Sequence, residues 1–189
     1  MVAWKRFAVP EFDYALFKGM TYQAPTPISA GEGSELIGKL AQGDTSVCGA
    51  HAVDLGADTF DRHAFKEGPR LAFLCLTPET EVRILGRSHG WAIQRALGMD
   101  GLDGDVAFDW ITTRPMNTRL GPDDGIATSG GAVTVLTGNK YSDFWIGNRM
   151  MADNDWQPED GSQGFRLLAA SKPDVDDFHD CYITFTWSA

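Results

Sequence analysis

Two stretches of the chain place cysteine next to histidine. "VCGAH" holds Cys48 and His51, and "DDFHDCYITFTWSA" holds His179 and Cys181. Thiolate and imidazole are good zinc ligands, and pairs at i, i+2 or i, i+3 can reach one ion. The four residues would make a Cys2His2 set. Against this, neither pair has the C-x2-C spacing of a knuckle, and nothing in the sequence brings positions 48 and 179 together. A chain of 189 residues also buries enough apolar surface to fold without a metal. The C-terminal run reads more simply as a strand. Its alternation puts His179, Cys181, Ile183, Phe185 and Trp187 on one face, with Cys181 packing as a small hydrophobe. The expectation is no bound metal and no cofactor.

Other catalytic chemistries fare no better. Ser88 and His89 are neighbours in sequence, but a triad is assembled in space, and Ser88 reads as a helix cap. Cys48 with His51 matches no cysteine-protease pattern. "TSGGAV" (128–133) is glycine-rich, yet it leads into a strand and no Gly-Lys-Ser/Thr follows, so it is a turn rather than a phosphate cradle. Two acidic loops, 100–105 and 153–161, have the carboxylates that calcium favours. In an EF-hand register starting at Asp153, however, Pro158 stands where glycine is required, and the first loop is too short for a full ligand set. Both read as solvated turns. No catalytic residue is assigned, and the expectation is a protein that is not an enzyme.

Aromatic residues carry the remaining signal. Trp110, Trp145 and Trp187 lie in strand patterns and belong to a core. Trp156 sits in "DNDWQPEDG", where no apolar periodicity surrounds it. Such a ring can stack on a sugar or anchor in a partner's pocket, or fold back over the edge of the domain. Trp4 and Phe7 stand in an aromatic N-terminal segment that also holds Phe12, Tyr14, Phe17 and Tyr22. Trp156, Trp4 and Phe7 are the expected binding residues.

These side chains must be positioned by a mainly β fold. Period-2 runs occur at 70–76, 80–86, 105–113, 131–138, 142–147, 164–170 and 180–187, separated by Gly, Asp, Asn and Pro clusters. This pattern predicts an antiparallel β-sandwich or a jelly-roll-like barrel. Short helices are predicted at 59–68 and 88–98. Residues 1–45 read as an extended, irregular arm with a short strand near 14–17, and residues 46–189 as a single β-sandwich domain.

Composition narrows the partners. With 16 basic and 26 acidic residues the formal charge is -10, which disfavours phosphate backbones and anionic lipid surfaces. No apolar run reaches the length of a membrane span, and the N-terminal residues lack the apolar region of a signal peptide, so synthesis in the cytoplasm without a signal peptide is expected. The three cysteines are odd in number and irregularly spaced, which argues against a disulfide framework. A rigid acidic sandwich with an aromatic arm leads to the expectation of a structural assembly protein, a virion-associated capsid-decoration, cement or tail component that binds neighbouring protein subunits or copies of itself. The alternative is a lectin-like carbohydrate-binding module. A second alternative is a small metal-dependent hydrolase built on the Cys/His set.

Overall fold

The run "AFLCLT" is apolar on both faces, and it becomes a central strand, β4 (Ala72–Thr77), with every residue buried. Phe73 and Cys75 point into the space between two sheets, while Leu74 and Leu76 point into a second core on the opposite side. The computed structural model describes residues 24–90, 92–112, 119–140, 143–171 and 180–189.

The first sheet runs β1 (Ile28–Ser29), β2 (Gly49–Asp54), β4, β10 (Gly131–Lys140), β11 (Trp145–Gly147), β3 (Phe65–Glu67), with β6 (Ile93–Asp100) on β10 and β7 (Val106–Ile111) on β6. The second runs β12 (Arg149–Asp153), β13 (Gln163–Ala170), β14 (Cys181–Trp187), β5 (Val82–Ser88), and β5 also pairs with β8 (Arg119–Leu120) and β9 (Ile126–Thr128). Most pairings are antiparallel; β1–β2 and β3–β11 are parallel. The expected β-sandwich is therefore what forms, as two sheets face to face.

The inter-sheet core is aromatic and aliphatic. Phe165 stacks on Phe185 at 4.9 Å between centroids and meets Trp187 edge-on at 6.0 Å, while Phe108 stacks on Trp110 at 4.3 Å. Each such side chain contributes about 1.5–3 kcal/mol by leaving water. The face assigned to Cys181, Ile183, Phe185 and Trp187 from alternation is the core face. Trp145 departs from the core expectation: it is half-buried, with Arg95 and Lys140 over its ring at 5.5 and 5.8 Å.

Three local expectations are corrected. The stretch up to residue 45 is not irregular throughout, because Ala30–Ala41 forms helix α1. Ser29 caps it: its Oγ accepts the Glu32 N–H at 3.1 Å, and Glu32 Oε2 accepts the Ser29 N–H at 2.7 Å. This reciprocal box satisfies two main-chain donors. Leu36, Ile37 and Leu40 then pack on the outer face of the first sheet. The Ser-x-x-Glu signal was hidden by Gly31 and Gly33; Gly33 is buried, and a Cβ there would sit 3.0 Å from Leu102.

The helix predicted at 88–98 does not exist. Ser88 ends β5, and residues 93–100 are β6, paired on both edges. Ala96, Leu97 and Met99 are buried on alternating sides, so a central strand hides the apolar residues that the helical reading placed on one face. Gly98 is not a helix terminator: a Cβ there would fall 2.3 Å from the Phe108 ring, which packs directly over it. At 59–68, helix α2 spans Ala57–Arg62 and gives way to β3. The strand expected near 14–17 lies outside the described residues.

Candidate binding cleft

At one end of the second sheet three segments meet. β5 begins just after Glu81, β14 ends at Trp187, and the loop from β12 carries Asp160 and Ser162 into β13. The register aligns Gly164 with Thr186, Thr186 with Arg83, and Arg83 with Ala127. Glycine, threonine and alanine in that row leave a low floor beside one long cation. Gly164 cannot be enlarged, since a Cβ there would lie 2.2 Å from the Phe185 carbonyl oxygen.

The result is a cleft of about 200 Å3 lined by Glu81, Arg83, Asp160, Ser162, Thr186, Trp187 and Ser188. A shallower hollow of about 430 Å3, lined by Glu79, Thr80, Glu81, Ala127, Thr128 and Ser129, adjoins it through Glu81. Asp160 Oδ1 accepts from both the Ser162 N–H (2.9 Å) and the Ser162 hydroxyl (2.5 Å), which fixes the turn. The same two bonds, hydroxyl first, hold the Asp160 carboxyl below its ordinary range. Trp187 donates its indole N–H to Gln163 Oε1 at 3.2 Å, so its edge is set where it borders the cleft.

The loop is tied down at its start. Asp153 accepts from Arg166 Nε at 2.9 Å and Nη2 at 2.8 Å, with both side chains largely buried. Asn154 bonds to the main chain of Ala50 on the opposite sheet. Chemically the cleft offers hydroxyls, two carboxylates, one guanidinium and an aromatic edge. It contains no histidine or cysteine. It can hold a small polar molecule by hydrogen bonds.

The expected site residues fall elsewhere. Trp156 is half-buried, its ring lying 5.6 Å from the Arg166 guanidinium, and it does not line the cleft. Trp4, Phe7 and His179 lie outside the described residues. Of the Cys/His set, Cys48 and His51 belong to the first sheet's β2 region and Cys181 to β14 in the second. His51 Nε2 donates to the Val47 carbonyl at 2.8 Å. Burial pushes the Cys181 thiol well up, and burial followed by the charge of Asp44 pushes Cys48 up, both against the thiolate that zinc needs. Among the described residues no group of three or more His, Cys, Asp or Glu is placed to hold a metal ion. In the acidic loops Asp103 pairs with Arg62, and Asp153 with Arg166.

Ser88 also has a partner. Gly86-Arg87-Ser88-His89-Gly90 has the spacing of a hydrolase nucleophile elbow, but that elbow needs a following helix, and here a strand follows. Ser88 is buried and donates to the Asp180 carbonyl at 3.2 Å. The cleft residues themselves were missed in the sequence because they lie in three separate segments, 81–83, 160–162 and 186–188. The Asp160-x-Ser162 turn was the one local sign.

No protein-family model matches this sequence, and no relative is found among curated proteins. Solved structures do match in fold. The C-terminal domain of the BC2L-C lectin from Burkholderia cenocepacia matches with a TM-score of 0.48 and 16% identity over 66% of this chain and 97% of that one. The Chromobacterium violaceum lectin CV2L, solved with alpha-methyl-fucoside, matches at 0.46 and 12%, over 66% and 98%. The high-affinity mannose-binding lectin of Ralstonia solanacearum matches at 0.45 and 13%, over 62% and 96%. At such identities the likeness is one of fold. The expectation of a virion assembly component is corrected by these matches, which are lectins.

Proposed function

We propose that this chain is a carbohydrate-binding β-sandwich module that acts by binding and not by catalysis. The cleft between Glu81, Asp160 and Trp187 carries the reading. Sugars present many hydroxyl groups of fixed geometry, and carboxylates and a guanidinium satisfy them with charge-assisted hydrogen bonds. An indole edge beside these groups supplies apolar contact for a ring face. The fixed main-chain row beneath costs little reorganisation on binding.

The test is a glycan array followed by calorimetric titration of the hits. Binding is expected, and Asp160→Asn together with Thr186→Val should weaken it at least about tenfold, in line with lost hydrogen bonds to a charged group. Absence of any saccharide binding above background sinks the proposal. Association with a second copy of the chain belongs to the same proposal, and a native mass spectrum reads it.

A further inference from the structure

A saccharide in this cleft meets an uneven set of charges. Glu81 and Asp160 line it, Glu79 lines the adjoining hollow, and Arg83 is the one cation among the lining residues. Arg83 is itself drawn to acid: its Nε lies 3.7 Å from Glu81 Oε1, and it acts on Asp160 through space. The cation is thus shared by two carboxylates, and the cleft keeps a net negative charge within a chain of formal charge -10.

Resting on the carbohydrate reading above, we propose that the cleft selects sugars by charge, favouring hexosamines with a free amine over neutral hexoses and rejecting hexuronic acids. An ammonium group has three donors and no acceptor, and two carboxylates that lack donors answer it. A uronate brings acceptors to acceptors. It could bind only by taking Arg83 from Glu81, which would leave Glu81 without its counter-charge. Ser162 already occupies one Asp160 oxygen, which keeps this carboxylate oriented, and it stays ionised through the neutral range where a hexosamine is cationic.

The experiment compares matched trios, the hexose, hexosamine and hexuronic acid of both the gluco and galacto series. Each is titrated into the full chain by NMR, with the Trp187 indole N–H as reporter. The expected order is hexosamine, hexose, hexuronic acid, with about tenfold between first and last at low salt, shrinking as added salt screens the charges. Glu81→Gln with Asp160→Asn should flatten the order. Glu35→Gln, on the exposed face of α1, should leave it intact and so separates the cleft from the overall charge. Equal affinities, or tighter uronate binding, overturn the charge selection and leave the carbohydrate reading standing. No binding by any of the six overturns the charge selection, while the glycan array decides the carbohydrate reading separately.

Discussion

Asn154 closes its side-chain amide onto the main chain of Ala50: Nδ2 donates to the Ala50 carbonyl at 3.1 Å, and Oδ1 accepts the Ala50 N–H at 2.8 Å. These residues are 104 positions apart; Ala50 lies in β2 of the first sheet, and Asn154 follows the end of β12 in the second. The pair fastens the loop that carries Asp160 and Ser162. It also explains a neighbour: Gly49 has φ +137°, and a Cβ there would lie 2.9 Å from Asn154 Oδ1.

Asn154→Ala should therefore act twice. Losing both bonds leaves the Ala50 main-chain groups without these partners, and the expected loss of stability is about 1–2 kcal/mol by urea denaturation. Saccharide affinity should fall as well, because the turn at Asp160 loses its support. A variant with full stability and unchanged affinity would show that the loop holds itself.

A buried amide chain crosses the sandwich near the opposite end. Asn139 Nδ2 donates to Asn148 Oδ1 at 2.7 Å, and Asn148 Nδ2 donates to Gln94 Oε1 at 3.0 Å and Thr137 Oγ1 at 3.1 Å. Gln94 Nε2 continues to Ser171 Oγ at 2.7 Å. Asn148→Leu strands donors and acceptors that water cannot reach, and each costs about 1–3 kcal/mol. A loss of at least about 2 kcal/mol in chemical denaturation is expected. A loss near zero would mean that the chain is dispensable.

The thiols should separate by depth. Cys75 and Cys181 are fully buried and their thiols are pushed well up by desolvation, whereas Cys48 is half-buried. An aromatic disulfide reagent at pH 8 should label Cys48 slowly and the other two only after unfolding. Cys48→Ser should leave saccharide binding unchanged. Rapid labelling of Cys181 in the folded protein would contradict the core placement.

Acid should loosen the protein through three exposed carboxylates whose pKa values are lowered. Glu32 is held by Ser29, Asp44 by Ser46, and Asp160 by Ser162. A depressed folded-state value means that stabilisation is complete above the unfolded value, which is 4.5 for Glu32 and 3.8 for the two aspartates, and is lost as pH falls through the folded one. Carbon-detected NMR titration should put the Asp160 midpoint below 3.8, and Ser162→Ala should return it toward that value. A midpoint that does not move in the variant would remove Ser162 as the cause.

Much of the architecture was legible in the chain, because the period-2 pattern is local. "CYITFTW" states its own buried face, and "AFLCLT" states that it is buried on both. The errors came where a local pattern permits two answers. The segment 93–100 has apolar residues at spacings that suit a helix or a doubly covered strand, and pairing to β10 and β7 chose the strand. Helix α1 was obscured because its capping box stands among glycines, of which Gly33 packs closely against Leu102.

By itself, the sequence determined the class of fold and the inward face of β14. The tertiary structure alone decided the cleft. Glu81, Asp160 and Thr186 are strangers along the chain, and register makes them neighbours: β14 lies between β13 and β5, so Gly164, Thr186 and Arg83 form one row. Alternation tells which way a side chain faces, but which strand stands beside it depends on hydrogen bonds and packing between segments distant along the chain.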